Sequence, residues 1–258
     1  MAAIFFDIDG TLWDRQNVIP DSTKAAFERL HENGHQTFIC SGRSLVMIQD
    51  ENLLRLGFDG ILAGCGTQLV YHGKTMYYHL IEPSLVKHCV SVLRECGMAV
   101  MLESEDRLFM DSQILENEYG KYVKDSIQEA AILLGENHDQ WIASKLCVLL
   151  QGGNVERAVT LLDDAFEFLV HGSKVMEVLP KGFGKARGIA KTCELLGISH
   201  EETYAFGDSI NDQDMLQYAA CGIAMGNGTE DAKRAADYIT SDIHEDGIYR
   251  ALEHFNLI

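Results

Sequence analysis

Short apolar runs alternate with amphipathic stretches of helical period along most of this chain, and that alternation leaves few folds open. The run "AAIFF" (residues 2–6) has the unbroken apolar character of a strand buried on both faces. Residues 21–34 predict an amphipathic helix, with Asp21 or Ser22 as its cap and Gly34 closing it. Ala25, Phe27, Leu30 and His31 mark its stripe. "HQTFIC" (35–40) reads as the next strand, residues 44–57 as the next helix and "GILAG" (60–64) as a third strand. Two β-rich pieces, "TQLVYHG" and "TMYYHL", predict a hairpin around His72, Gly73 and Lys74. This order predicts a parallel sheet of βαβ units.

The rhythm breaks near Pro83 and returns after Pro180. The chain has only three prolines, and these two bracket a segment of different pattern. Within it come a helix (84–96), strands at "MAVML" and "RLFM", helical stretches through 114–134, the strand "SKLCVLL", a helix (154–165) and the strands "FEFLVH" and "VMEVL". Strand pairs mixed with helices in a segment of this size suit an independent α+β domain. After Pro180, helices at 184–197, 211–218, 229–236 and 244–255 alternate with the strands "TYAFG", "ACGIAM" and "DYIT". The expected organisation is an α/β, Rossmann-like parallel-sheet core in two pieces, 1–82 and 181–258, around an inserted α+β domain at 83–180.

At 258 residues the chain has room for these two domains. A formal charge of −18 argues against wholesale binding of nucleic-acid backbones, which needs clustered Lys and Arg. A small anion met by a few focused cations or a metal remains open. The seven cysteines (40, 65, 89, 96, 147, 193 and 221) never fall in a C-x-x-C spacing, and several lie in apolar runs. They read as buried free thiols in a reducing compartment, so a cytoplasmic location is expected. No secretory leader pattern opens the sequence, and no apolar stretch approaches the roughly 20 residues of a membrane span.

In open α/β sheets, ligands collect beyond the carboxyl ends of the strands. There the first strand delivers Asp7 and Asp9, and the second delivers Ser41, Gly42 and Arg43. The helix after the insert opens with Lys181 and Lys185, and the strand after it runs into "FGDSINDQDM", with Asp208, Asn211, Asp212 and Asp214. Asp7 and Asp9 would share a side if the strand continued. Gly10 frees the backbone to turn, and Thr11 can bond locally to hold the turn. Hard oxygen ligands without a nearby His or Cys favour Mg²⁺ over zinc or copper. Each piece alone has a plainer reading: a surface turn, a helix cap at Ser41, a solvated Lys185, an Asx-rich turn. Their agreement at the strand ends of one sheet is what points to a site.

"DIDGT", "CSGR", the lysine after the insert and "GDSINDQDM" resemble, in order and across nearly the whole chain, the four motifs of the haloacid dehalogenase-like (HAD) hydrolase superfamily. "VLPKGFGKARGI" and "AMGNGTEDAKRAADYIT" are similar to the Cof-type phosphatases, whose type IIB cap lies where the insert lies here. The resemblance implies that Asp7 is the nucleophile and Asp9 the general acid and base. It implies phosphate binding by Ser41, Gly42, Lys185 and Asn211. Mg²⁺ would be held by Asp7, Asp9 through its backbone carbonyl, Asp208 and Asp212, with Asn211 and Asp212 also supporting that loop. The implied activity is Mg²⁺-dependent hydrolysis of small phosphate monoesters, sugar phosphates first, through an aspartyl-phosphate. Phosphohexomutase-like phosphoryl transfer and a non-catalytic phosphate-sensing module are the alternatives. A small phosphorylated metabolite is the expected partner, and neither nucleic acid nor a membrane is.

The chemistry suits these roles. A carboxylate attacking a phosphate dianion needs cations to offset repulsion. One acid–base residue can serve both displacements if its pKa is raised while that of the metal-bound nucleophile is lowered. The chain departs from the pattern at Ala186, where glycine is usual, and at Cys65 in "AGCGTQL", where asparagine is usual. Within the insert, Glu103, Asp106, Arg107, Tyr119 and Lys145 carry polar groups that the sequence does not separate from ordinary surface. The histidines at 72, 79, 88, 138, 171 and 200 lack metal-ligand spacing.

Overall fold

The apolar run that opens the sequence lies at the middle of a sheet, with every residue of β1 (Ala3–Phe6) buried. The computed structural model describes residues 1–135 and 140–258, so His138 lies outside the described residues. They form two units. The first comprises Met1–Gly42, Gln49–Tyr77 and Gly184–Ile258; the second comprises Arg43–Ile48 and Tyr78–Phe183.

In the first unit, β1 is followed by α1 (Asp21–Glu32), β2 (Gln36–Cys40), α2 (Glu51–Leu54), β3 (Gly60–Ala63), β4 (Gln68–Tyr71) and β5 (Lys74–Tyr78). The sheet is completed from the far end of the chain by β12 (Thr203–Gly207), β13 (Cys221–Ala224) and β14 (Tyr238–Ile239). Its order is β14-β13-β12-β1-β2-β3-β4-β5. Pairing is parallel from β14 to β3 and antiparallel between β3 and β4. On one face Phe5 stacks on Phe38, and on the other Phe6 stacks on Phe206 and meets Phe27 of α1. The helices α7 (Lys185–Leu196), α8 (Gln213–Tyr218), α9 (Glu230–Ala235) and α10 (Gly247–His254) belong to the same unit.

The second unit holds α3 (Pro83–Glu95), β6 (Ala99–Glu103), β7 (Leu108–Met110), α4 (Ser112–Glu116), α5 (Glu118–Ile127), β8 (Ala131–Leu133), β9 (Lys145–Leu149), α6 (Val155–Leu162), β10 (Phe166–His171) and β11 (Val175–Pro180). Its sheet has the order β10-β11-β9-β6-β7-β8 and is antiparallel except between β7 and β8. An apolar core containing Val86, Leu93, Val100, Leu146 and Phe166 joins α3 and α6 to the sheet.

Three local expectations change. Residues 44–57 are not one helix: a 3-10 turn at Leu45–Met47 precedes the four-residue α2, which Asp50 caps through the N–H groups of Asn52 and Leu53. Val46 is drawn into the second unit's apolar cluster with Ala99, Met101 and Val123, so packing overrides local helical period here. Neither Asp21 nor Ser22 caps α1; Pro20 stands at that position, and Asp21 pairs with Lys24 at 2.7 Å. The segment expected to stay helical to residue 134 instead forms β8, recruited by parallel pairing with β7.

Candidate active site

Three neighbouring strands of the first unit end at one edge. Phe6 lies opposite Phe206 on one side and Ile39 on the other, so Asp7, Ser41 and Asp208 leave the sheet together. The Asp7 N–H still donates to the Phe206 carbonyl at 2.9 Å, which carries sheet pairing up to the carboxylate-bearing residue.

Asp7, Asp208 and Asp212 each offer a carboxylate oxygen, and these oxygens all lie within 4.8 Å of one another. Lys185, the first residue of α7, is 1% exposed and enters this cluster. Its Nζ stands 2.6 Å from Asp7 Oδ1 and 2.5 Å from Asp212 Oδ1. Asp212 uses its other oxygen to accept the N–H groups of Asp208 and Ser209, both at 2.9 Å. It thus braces the loop that carries Asp208 while facing the lysine. Close packing of backbone against carboxylate explains two glycines. Gly10 has φ +86, and a Cβ there would come within 2.4 Å of an Asp208 oxygen; a Cβ on Gly207 would come within 2.5 Å of the Asp212 side chain.

The cluster is short of positive charge. Burial pushes the Asp7 carboxyl well above the usual carboxylate range, Asp212 pushes it further, and Lys185 only partly offsets them. Burial, then Asp212, raises Asp208 to about 7. Burial works against the Lys185 charge, but Asp212 and Asp7 together hold its pKa well above that of an ordinary lysine. One ammonium serves three carboxylates, so the arrangement has oxygen ligands and a charge deficit that a hard divalent cation would fill. The Asp7 shift runs opposite to the depression expected for a metal-bound nucleophile, because here only protein groups act on it.

Asp9 is exposed and its carboxylate is not part of the three-membered cluster among the described residues. Its Oδ1 accepts the indole N–H of Trp13 at 2.9 Å. Ser41 is buried; its N–H donates to the Leu62 carbonyl, and its carbonyl accepts from the Cys65 N–H, both at 2.9 Å. Gly42 follows it, also buried. Asn211 is half-buried and accepts the Ser209 hydroxyl. Lys181 is exposed and, like the half-buried Arg43, belongs to the second unit, whereas Lys185 is the lysine at the carboxylates. Cys65 adopts a left-handed backbone with φ +52, a region asparagine tolerates better than most residues.

Thr11 does not close its own turn through its side chain; its hydroxyl reaches Asp208 Oδ1 at 3.1 Å and ties the first loop to the fourth. The Asn227 amide donates to the Gly10 carbonyl at 2.7 Å while its oxygen accepts the Ile243 N–H at 2.9 Å. Asp214 accepts the Ala186 N–H at 3.0 Å beside Lys185. Sequence reading assigned no site role to Trp13 or Asn227; the one signal for Asn227 was its place in "GNG".

In the second unit, Glu103 and Lys145 are not surface residues, being 2% and 1% exposed. They are cross-strand partners on β6 and β9, and Lys145 Nζ lies 3.4 Å from Glu103 and 2.6 Å from Glu177. Asp106 and Arg107 pair with each other, and Tyr119 is exposed.

Comparison with known proteins gives a consistent set of likenesses. A family model described as haloacid dehalogenase-like hydrolase matches residues 4–252. YkrA of Bacillus subtilis (strain 168) is 30% identical over 257 residues, covering 99% of this chain and 98% of that protein. The 5-amino-6-(5-phospho-D-ribitylamino)uracil phosphatase YitU of the same organism is 26% identical, covering 98% and 97%. Among solved structures, the HAD subclass IIB sugar phosphatase BT4131 superposes with a TM-score of 0.84 at 30% identity, covering 100% of each chain.

Proposed function

The chain belongs to the haloacid dehalogenase-like hydrolases and is an enzyme of their phosphatase class, and from that premise we propose that it hydrolyses phosphate monoesters of small polyhydroxylated metabolites with Mg²⁺, through an aspartyl-phosphate on Asp7. The observation that carries this reading is the meeting of buried Asp7, Asp212 and Lys185 with half-buried Asp208, drawn from three separate parts of the sequence. Asp7, Asp208 and Asp212 would hold the ion, with the Asp9 backbone carbonyl as a further oxygen. When bound, Mg²⁺ supplies the positive charge that lets a carboxylate approach a phosphate dianion.

The protein groups then divide the work. An Asp7 oxygen attacks phosphorus as the bond to the leaving alcohol breaks, and Asp9 delivers the proton that the alcohol oxygen needs. In the second displacement Asp9 takes a proton from water, which attacks phosphorus and frees inorganic phosphate and the Asp7 carboxylate. Lys185, with Ser41 and Gly42 and supported by Asn211, would receive the phosphoryl oxygens. Asp212 keeps Lys185 charged and the Asp208 loop in place.

Relatives of two kinds support the substrate class. One is a sugar phosphatase, and the other acts on a phosphate carried by a ribityl chain. Both are phosphate esters of polyhydroxylated carbon chains. The second unit would be the type IIB cap. The seven free cysteines, six of them buried, support a reducing, cytoplasmic setting. Among the described residues no helix is long and apolar enough to cross a membrane. The test is direct. Purified protein should hydrolyse p-nitrophenyl phosphate with Mg²⁺, fall silent in EDTA, and lose turnover in Asp7→Asn; full activity in that variant removes Asp7 from its role. Incubation with a hexose 1-phosphate separates hydrolysis, which frees phosphate, from mutase chemistry, which yields the 6-phosphate.

A further inference from the structure

Trp13 stands one residue before the end of the "DIDGTLWD" stretch and has no part in the chemistry above. It is 2% exposed, yet its ring nitrogen is spent on an exposed acid of the site. The indole N–H donates to Asp9 Oδ1 at 2.9 Å. The backbone fixes both ends of this contact. Asp9 and Trp13 form an isolated bridge, the Gly10 N–H donates to the Trp13 carbonyl at 2.9 Å, and the Trp13 N–H donates to the Ile8 carbonyl at 3.2 Å. A buried indole thus holds an exposed carboxylate by a charge-assisted hydrogen bond within a tight loop.

We infer that Trp13 is a positioning residue for Asp9, orienting the carboxylate so that Oδ2 is the oxygen that exchanges the proton with the leaving group. An indole N–H can only donate, and a carbonyl oxygen accepts it better than a hydroxyl oxygen does. The contact at Oδ1 therefore favours the proton of the acid form on the other oxygen. This bond narrows the rotamers open to an exposed aspartate, and general-acid catalysis depends on hydrogen-bond reach to the departing oxygen. The inference rests on Asp9 acting as the general acid.

The experiment compares kcat/KM across a series of substituted phenyl phosphates in the wild type, Trp13→Phe and Asp9→Asn. Trp13→Phe keeps a buried aromatic ring and removes only the donor. A lost orienting bond should cost about tenfold on phenyl phosphate, whose leaving group needs protonation, and less than about twofold on p-nitrophenyl phosphate, whose leaving group does not. The dependence on leaving-group basicity therefore steepens. Equal losses on both substrates, or none, overturn the inference, since a purely structural tryptophan would act alike on all substrates. If Asp9→Asn steepens the dependence and Trp13→Phe does not, only the role of Trp13 falls. If Asp9→Asn leaves it unchanged, the acid role of Asp9 falls and takes the inference with it. A second readout needs no turnover. In a Trp141→Phe background Trp13 is the sole tryptophan, and its emission should change on Asp9→Ala at unchanged thermal stability; unchanged emission overturns the contact in solution.

Discussion

Each unit buries one lysine between two carboxylates, and the two arrangements behave differently. In the second unit Lys145 lies between Glu103 and Glu177, and His171 stands 3.4 Å from Glu177. Burial opposes the Glu177 charge, yet Lys145 and His171 draw its pKa below the usual range. Burial raises Glu103, and Lys145 offsets part of that rise. Two carboxylates share one ammonium here, and a buried Glu103 oxygen is left without a hydrogen bond. In the first unit Lys185 faces Asp7 and Asp212, but Asp208 adds a third carboxylate, and both Asp7 and Asp208 are pushed upward. The difference is one additional acid. Two acids that share one ammonium can hold a sheet together, whereas a third acid beside such a pair adds negative charge that a cation would offset.

The largest effect should come from breaking the first cluster. Lys185→Met is expected to lower turnover by about a thousandfold, because it removes the ammonium that meets Asp7 and Asp212. Steady-state assay on p-nitrophenyl phosphate checks this. Lys145→Met should instead show itself in stability, costing about 3–5 kcal/mol by leaving buried carboxylates without their partner, as measured by denaturant unfolding. The ion sharpens the contrast. Mg²⁺ should raise the Tm of Lys185→Met more than that of the wild type, while the gain for Lys145→Met should match the wild type.

Next in size is the pH dependence of the first cluster. Asp208 is raised from 3.8 to about 7, so between those values the folded protein holds a proton that the unfolded chain has released. Its contribution to stability in EDTA is therefore lost as pH rises through that window. Mg²⁺ competes with the same protons, so its Tm increment should grow from pH 5 toward pH 8, as read by thermal scans with and without the ion. A flat increment would mean that the ion is not held by these carboxylates. The smallest effect is expected for His171→Gln, below about 1 kcal/mol, because Lys145 remains against Glu177.

How far these features could be read in advance depended on the range of the interaction behind each. The alternation of apolar runs and amphipathic stretches carried the parallel sheet, because strand burial and helical period are written in neighbouring residues. It failed at 44–57, where Val46 is claimed by a distant apolar cluster, and at 131–133, where pairing with β7 turns an expected helix into a strand. Glu103 and Lys145 looked like any other charged pair, since neither the strand register nor the burial that joins them is visible in their own segments.

Local chemistry by itself determined which residues stand at the strand ends: two aspartates, a glycine free to turn, a serine, and a loop rich in Asp and Asn. Only the tertiary structure decided how those residues divide. It sent Asp7, Asp208 and Asp212 into one group with Lys185, left Asp9 outside it against an indole, and set Thr11 on Asp208. Residue type and spacing limit where a side chain can begin, but desolvation and neighbouring charge, which set its partner and protonation, exist only once distant segments have closed around it.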